Sequence, residues 1–385
     1  MKSAATDDEQ AMGRHWAING RFLTQPVTGV QRYASQIVRG LDRLLASGRH
    51  EGDLEVELLV PPGTDVSLPL SAIGVRSIGR FGGHAWEQTV LPAHVRGGLL
   101  SLCNTGPVAL RKQIVCIHDA NTRNFPQSYS PAFRALYRGL APTLGRVAER
   151  VSTVSHYSAQ ELQRHGICRL DKIFVAPNGH EHALQWKPEH SPATRMLAGR
   201  NTIVVMGSSA PHKNLELIVG MADELAACGF EVAIAGMADP RVFNGSVARK
   251  APNLHWLGRL SDEEIAALLQ DCLCLAFPSF EEGFGLPPLE AMAMGCPVVV
   301  SDRASLPEIC SDAALYAAPD NVDAWLAQFI RLRASPALRS AMIATGRTRA
   351  SRYSWRASAD IYLEAMARSD GVVRERAGRA LEAVR

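Results

Sequence analysis

Apolar runs of strand length alternate along this chain with segments whose apolar residues recur every three or four positions. In the first half the runs predict strands at 15–19, 54–60, 113–118, 151–154 and 172–176, and the periodic segments predict helices at 30–45, 131–149 and 157–165. The pattern stops at NGHEHALQWKPEHSPATR, a polar stretch with two Pro that reads as a linker between domains. It resumes with a strand at 202–206, a helix at 214–227, strands at 231–235 and 273–277, and a helix after Pro287. Strands that are apolar throughout and separated by helices build parallel sheets covered on both faces, so the expected fold class is α/β with two domains in tandem. No repeat of 20 to 50 residues interrupts the alternation, and GVVRERAGRALEAVR closes the chain as a basic helical tail.

Composition narrows the function classes. At 385 residues, 46% hydrophobic and 21% charged, the chain is long enough for two ordinary globular cores. A net charge of +3 is too small for a general nucleic-acid binder, so any basic patch is local. The eight Cys form no CxxC pair, and Cys103, Cys116, Cys228 and Cys296 lie in apolar runs, as expected of reduced thiols in a cytoplasmic protein. MKSAATDDEQ lacks the basic and apolar regions of a signal peptide, and no apolar stretch approaches the roughly 18 residues of a membrane span.

One stretch carries most of the candidate chemistry. FEEGFGLPPLEAMAMG follows the apolar run CLCLAFPS and precedes a helix that Pro287 or Pro288 would open. Gly283 and Gly285 therefore fall at the carboxyl end of a parallel strand, where open α/β sheets place their ligands. Glycines there would admit a ligand close to the backbone, and the N–H groups of the next helix would face anionic or hydroxyl oxygens. Glu290, expected in the first helical turn, could accept hydrogen bonds from two vicinal hydroxyls such as those of a ribose. Glu282 would face whatever lies beyond the phosphates. In the plainer reading Glu290 caps its own helix and Glu282 is solvated. His180 and His182, two apart in the linker, are poorly spaced for a metal, and Cys272 and Cys274 read as core.

EGFGLPPLEAMAMGCPVVVSD resembles the Glu-x7-Glu signature of retaining, nucleotide-sugar-dependent glycosyltransferases of the GT-B fold, family GT4, and HDANTRNFP and PHKN resemble bacterial mannosyltransferases in particular. TGVQRYASQIVRGL, CIHDA, VSTVSHYSAQEL, KIFVAPNG, SSAPHKNLELIVGMADEL and RYSWRASADIYLEAM resemble other parts of that family in the same order. The resemblance implies a disordered N-terminus (1–13), a Rossmann-like acceptor-binding domain (14–182), a linker (183–198), a Rossmann-like nucleotide-sugar-binding domain (199–352) and C-terminal helices (353–385), the last crossing back to the first domain. It implies His118, Lys213 and Glu282 as catalytic residues. It also implies donor binding by Gly29, Ser208, His212, Lys213, Arg259, Gly283, Phe284, Gly285, Leu286 and Glu290. Ser208 and His212 stand where many relatives carry Arg, which leaves open whether His212, Arg259 or a first-domain residue supplies a second cation.

The donor's diphosphate needs its developing charge neutralised, and no Asp-x-Asp occurs to hold a metal. The resemblance accordingly implies no metal or pyridoxal cofactor, a nucleotide-sugar donor with GDP-mannose favoured, and a saccharide or lipid-linked acceptor of surface polysaccharide synthesis. Nucleic acid is not an expected partner. A nucleotide-sugar epimerase of the same fold, or a non-catalytic nucleotide-sugar binder, would share these motifs. SPAFRALYRGLAPTLGRVAER places Arg134, Arg138, Arg146 and Arg150 among Phe133, Leu136, Tyr137 and Leu140, either a basic amphipathic helix for an anionic membrane face or an ordinary solvated helix.

Overall fold

The computed structural model describes residues 14–48, 53–199, 201–207, 210–236 and 251–372. The disorder expected at 1–13, most of the basic tail (373–385) and Ser208 lie outside these residues. The strands are β1 (Arg14–Asn19), β2 (Leu54–Val60), β3 (Gly74–Ser77), β4 (Gly98–Ser101), β5 (Gln113–Cys116), β6 (Arg150–Thr153), β7 (Ile173–Val175), β8 (Thr202–Met206), β9 (Glu231–Ala235), β10 (Leu254–Gly258), β11 (Cys274–Phe277), β12 (Val298–Ser301) and β13 (Ala314–Ala317). They form a seven-stranded sheet, β3-β2-β1-β4-β5-β6-β7, and a six-stranded sheet, β10-β9-β8-β11-β12-β13. The pairings that carry β1, β4, β8 and β11 are all parallel. The chain separates into two compact units, residues 1–116, 143–151 and 359–385 in the first and 117–142 and 152–358 in the second.

The apolar runs became strands because both faces are covered: every residue of β5 and β11 is buried. The pattern predicts none of β3, β4, β10, β12 and β13: β3, β10 and β13 are short edge strands with mixed or exposed faces, while β4 and β12 are buried but only four residues long. Gly29–Ala46 is helical as predicted and packs Tyr33, Ile37, Val38, Leu41, Leu44 and Leu45 inward, and at its start the Thr28 N–H donates to Gln31 Oε1. The single helix expected at 214–227 is two, Leu215–Gly220 and Ala222–Ala227, broken at Met221 directly after a glycine. Trp325, Phe329, Phe230 and Ile218 centre the core beside the second sheet.

The C-terminal helix, Trp355–Ser369, enters the first unit from Ala359 onward, as expected. There the Tyr362 and Tyr33 hydroxyls lie 2.9 Å apart. Just past the helix, Asp370 accepts from Arg14 Nε at 2.6 Å, Trp16 Nε1 at 2.9 Å and Lys112 Nζ at 2.7 Å.

Candidate functional site

The second sheet has the strand order of a doubly wound dinucleotide fold, and its order reverses between β8 and β11. Connections leave those neighbours toward opposite faces, opening a crevice at their carboxyl ends. Both loops that carry the candidate residues start there. After β8 the chain passes Gly207 and a short turn, Pro211–Lys213, before the left-handed Asn214. Asn214 holds that conformation by donating through Nδ2 to the carbonyls of Pro278 at 3.0 Å and Pro319 at 2.6 Å. After β11 comes the elbow, which turns at Gly285 (φ 93°) into the helix Leu286–Met294.

At this reversal the structure brings Lys213 and Glu282 together, with Nζ 2.6 Å from Oε1. The lysine side chain keeps 24% of its exposure and the carboxylate 9%, so the pair is sheltered yet reachable. Nζ also lies 5.6 Å from the centre of the Phe277 ring. His212 is not a second cation. Burial, and then the Lys213 ammonium beside it, push its pKa down to about 4, leaving a neutral ring. Its Nδ1 lies 3.0 Å from Ser128 Oγ, and the ring stacks on Tyr129 at 6.2 Å.

Glu290 is the fifth residue of its helix, not a first-turn residue, so it does not cap its own N-terminus. It is buried, with Oε1 2.7 Å from His182 Nε2. Trp355 Nε1 donates to Nδ1 of the same imidazole at 2.9 Å. His182, placed by sequence in a polar linker, is thus part of the surroundings of Glu290. His180 donates instead toward the Tyr353 carbonyl, so the two histidines do not share a ligand. Among the described residues no group of three or more His, Cys, Asp or Glu is placed to hold a metal ion.

The close approach expected at Gly283 is made by the chain itself. A Cβ there would stand 2.9 Å from the His118 carbonyl oxygen and 3.0 Å from Asp119 Cβ, so only glycine lets the elbow lie on that segment. Ser155 Oγ at 2.6 Å and Ser158 Oγ at 3.0 Å both donate to the Gly283 carbonyl. His118 is buried two residues beyond the end of β5 rather than inside the strand. Its neighbour Asp119 has its carboxyl pushed up by burial, opposed by the Asn121 N–H and His118 and reinforced by Glu282. Phe284 is buried edge-on against Tyr353, at 5.5 Å, and Leu286 is the first helical residue. Pro287 and Pro288 carry no N–H, so the helix presents fewer backbone donors than an ordinary N-terminus.

Glu281 was not singled out by spacing. Tyr157 Oη donates to both its oxygens, at 2.8 and 2.9 Å, and Asn124 Nδ2 reaches it at 3.1 Å while also reaching Glu161 at 2.9 Å. Burial raises its pKa to about 7 against those hydrogen bonds, with the charges of Glu161 and Asp119 adding to the rise. The tandem FEE was the available signal, but nothing local distinguishes its first Glu.

Of the remaining candidates, Arg259 is exposed and directly follows the end of β10, an edge strand two places from the reversal. Gly29 opens its helix in the first unit, and among the described residues nothing beyond its chain neighbours and its own helix backbone comes within 4 Å of where its Cβ would be. The first sheet reverses between β1 and β4, and a buried network fills that point. Glu87 Oε1 accepts from Asn19 Nδ2 at 2.7 Å, Arg21 Nε at 3.1 Å and Thr105 Oγ1 at 2.9 Å.

Residues 187–349 match the family described as glycosyl transferases group 1. The chain is 28% identical over 268 residues to the O-antigen chain mannosyltransferase B of Escherichia coli, a match covering 65% of this chain and 68% of that one. It is 27% identical over 222 residues to the O-antigen chain mannosyltransferase RfbU of Salmonella typhimurium, covering 56% of this chain and 59% of the relative. In structure it is similar to Anabaena HepE in complex with UDP, with a TM-score of 0.66 at 17% identity over 92% of this chain and all of that one. With two parallel sheets, the reversal site and these matches together, the chain carries the GT-B fold, and its residues 187–349 are similar to the group 1 glycosyl transferases.

Proposed function

We propose that the protein is a retaining glycosyltransferase that moves a hexose, mannose foremost, from a nucleotide-diphosphate sugar to a saccharide or lipid-linked acceptor of bacterial surface polysaccharide. The observation that carries the reading is the Lys213–Glu282 pair at the reversal of the second sheet, with Glu290 buried in the helix that the same elbow opens. Similarity to O-antigen mannosyltransferases supports mannose, and the complex of HepE with UDP supports a nucleotide ligand in this fold.

In this reading Glu290 receives the ribose hydroxyls and Lys213 exchanges Glu282 for the diphosphate, stabilising it most as the sugar bond breaks. Glu282 then turns to sugar hydroxyls, and His118 sits toward the reacting centre. The departing diphosphate takes the acceptor's proton on the face it leaves, which preserves the anomeric configuration without a glycosyl-enzyme intermediate. With Lys213 supplying the positive charge, turnover is expected to survive EDTA.

Thermal shift with UDP, GDP, ADP and their sugars tests the assignment. The true ligand at 100 times its Kd adds about 2.7 kcal/mol of stability, and Glu290→Ala should weaken it by about 1.5 to 3 kcal/mol. An unchanged Kd in that variant, or a glycosyl adduct trapped on Glu282, would overturn the corresponding step.

We also place the enzyme at the cytoplasmic face of a membrane. The helix Pro131–Val147 exposes Phe133 and Leu136 beside Arg134 and Arg138, although Arg150 falls on β6 and not on this helix. No helix among the described residues is long and apolar enough to span a bilayer, so contact would be peripheral. Failure to float with anionic liposomes at low salt would remove this part of the reading.

A further inference from the structure

We propose that His182 is a positioning residue for donor recognition: held in one tautomer by Trp355, it orients the Glu290 carboxylate toward the ribose hydroxyls. The inference rests on the reading of Glu290 as the ribose-holding group and extends it to residues outside the elbow.

The argument is one of donors and acceptors. An indole N–H can only donate, so the Trp355 Nε1 contact at 2.9 Å requires a lone pair on His182 Nδ1. The neutral imidazole then carries its proton on Nε2, 2.7 Å from Glu290 Oε1, where an ionised carboxylate can only accept. The other neutral tautomer would set proton against proton at Trp355 and lone pair against lone pair at Glu290. A single arrangement therefore satisfies all three side chains. The imidazole and the carboxylate keep 3% and 6% of their exposure, so water is a poor substitute for either bond.

The same neighbourhood keeps the imidazole from swinging away. Trp355 packs on it at 5.6 Å and Trp186 meets it edge-on at 5.5 Å. The segment carrying His182 is fastened to the one carrying Trp355. Glu181 accepts from Ser354 Oγ at 2.6 Å and from the Trp355 N–H at 2.9 Å, and Ser358 Oγ donates to the Pro177 carbonyl at 2.6 Å. The two stretches of chain are so close that a Cβ on Gly179 would stand 2.1 Å from the Trp355 nitrogen. A carboxylate that must hold two hydroxyls at fixed angles gains from such support, because a freely rotating one loses orientation before it loses charge.

The test compares UDP and GDP with their 2′,3′-dideoxy counterparts by calorimetry, using the intact protein and the variants His182→Ala, His182→Gln, Trp355→Phe and Glu290→Ala. The wild type is expected to prefer the ribose form of its nucleotide by about tenfold or more, and Glu290→Ala to lose that preference. His182→Ala and Trp355→Phe should lose most of it while binding the dideoxy form as the wild type does. His182→Gln, whose amide nitrogen can still donate to Glu290, should keep most of it. Should His182→Ala not fold, Trp355→Phe and His182→Gln still decide. If the wild type binds neither nucleotide, or shows no preference for ribose, the reading of Glu290 fails and the inference with it. If the preference exists and Glu290→Ala abolishes it, yet Trp355→Phe and His182→Ala retain it, the role of His182 alone is overturned. Equal losses for ribose and dideoxy forms in the His182 variants would likewise reduce it to a packing residue.

Discussion

The two sheets reverse strand order at equivalent points, yet the points are built differently. In the first, the Arg21–Glu87 pair keeps 7% and 1% of side-chain exposure, and Asn19 and Thr105 converge on the same Glu87 oxygen. In the second, Lys213 and Glu282 keep 24% and 9%, and the Glu282 carboxylate is met by the lysine ammonium at 2.6 Å. Burial alone would raise the Glu87 carboxyl, but His84, Arg21, Asn19 and Thr105 bring it below the ordinary range. The topology supplies a crevice in both sheets, and side chains decide whether it is closed by the protein's own groups or left for a ligand.

The largest expected effect lies at the closed point. Glu87→Ala strands the Arg21 guanidinium in a buried site and should cost about 3 to 5 kcal/mol of stability, measured by denaturant unfolding, with nucleotide affinity unchanged at the folded variant. A loss below about 1 kcal/mol would erase the distinction between the two points. Lys213→Ala should do the opposite. Stability should move by no more than about 1 kcal/mol, while affinity for the bound nucleoside diphosphate drops about tenfold or more and affinity for the nucleoside stays. Equal losses for both ligands in a titration would remove Lys213 from the diphosphate.

Glu282→Gln sharpens the contrast with a smaller effect. Freed from a carboxylate, Lys213 should bind inorganic pyrophosphate several-fold more tightly, by roughly 1 kcal/mol or less, while sugar transfer remains measurable. Weaker pyrophosphate binding would mean that Glu282 organises the lysine rather than competing for it. A further contrast, read in pH rather than in affinity, concerns Glu281. Its folded pKa of about 7 lies above that of an unfolded carboxyl, so between those values the native state binds more protons. Stability from this group should therefore fall as pH rises from about 4.5 to 7. Glu281→Gln should flatten that slope in thermal unfolding curves, and an unaltered slope would assign it elsewhere.

Much of the architecture was legible in the chain. The strands β2, β8 and β9 have the predicted bounds: β8 and β9 are buried along almost their whole length and read as apolar runs, and β2 alternates buried and less buried positions before the buried run Leu58, Leu59 and Val60. The elbow was legible too, since Gly and Pro mark a strand-to-helix turn wherever they stand. The break at Met221 had only the preceding Gly220 as a signal, and one glycine lowers helix propensity without deciding where a periodic helix stops. The role of His182 was equally hidden. Its partners Glu290 and Trp355 lie 108 and 173 residues away, and a polar residue in a polar stretch reads as solvated.

Local chemistry in the sequence therefore determined the longer apolar strands, the turn at the elbow, and that Lys213 and Glu282 follow strands of the second sheet. Tertiary structure decided the ionic and tautomeric states of the neighbouring side chains. It neutralised His212 by burial beside Lys213, raised Glu281 by burial and then by the charges of Glu161 and Asp119, and filled the space at Gly283 with His118 and Asp119. Turn and strand preferences act over a few residues and survive in the sequence, whereas desolvation and hydrogen-bond pairing depend on groups that only the folded chain brings within a few ångströms.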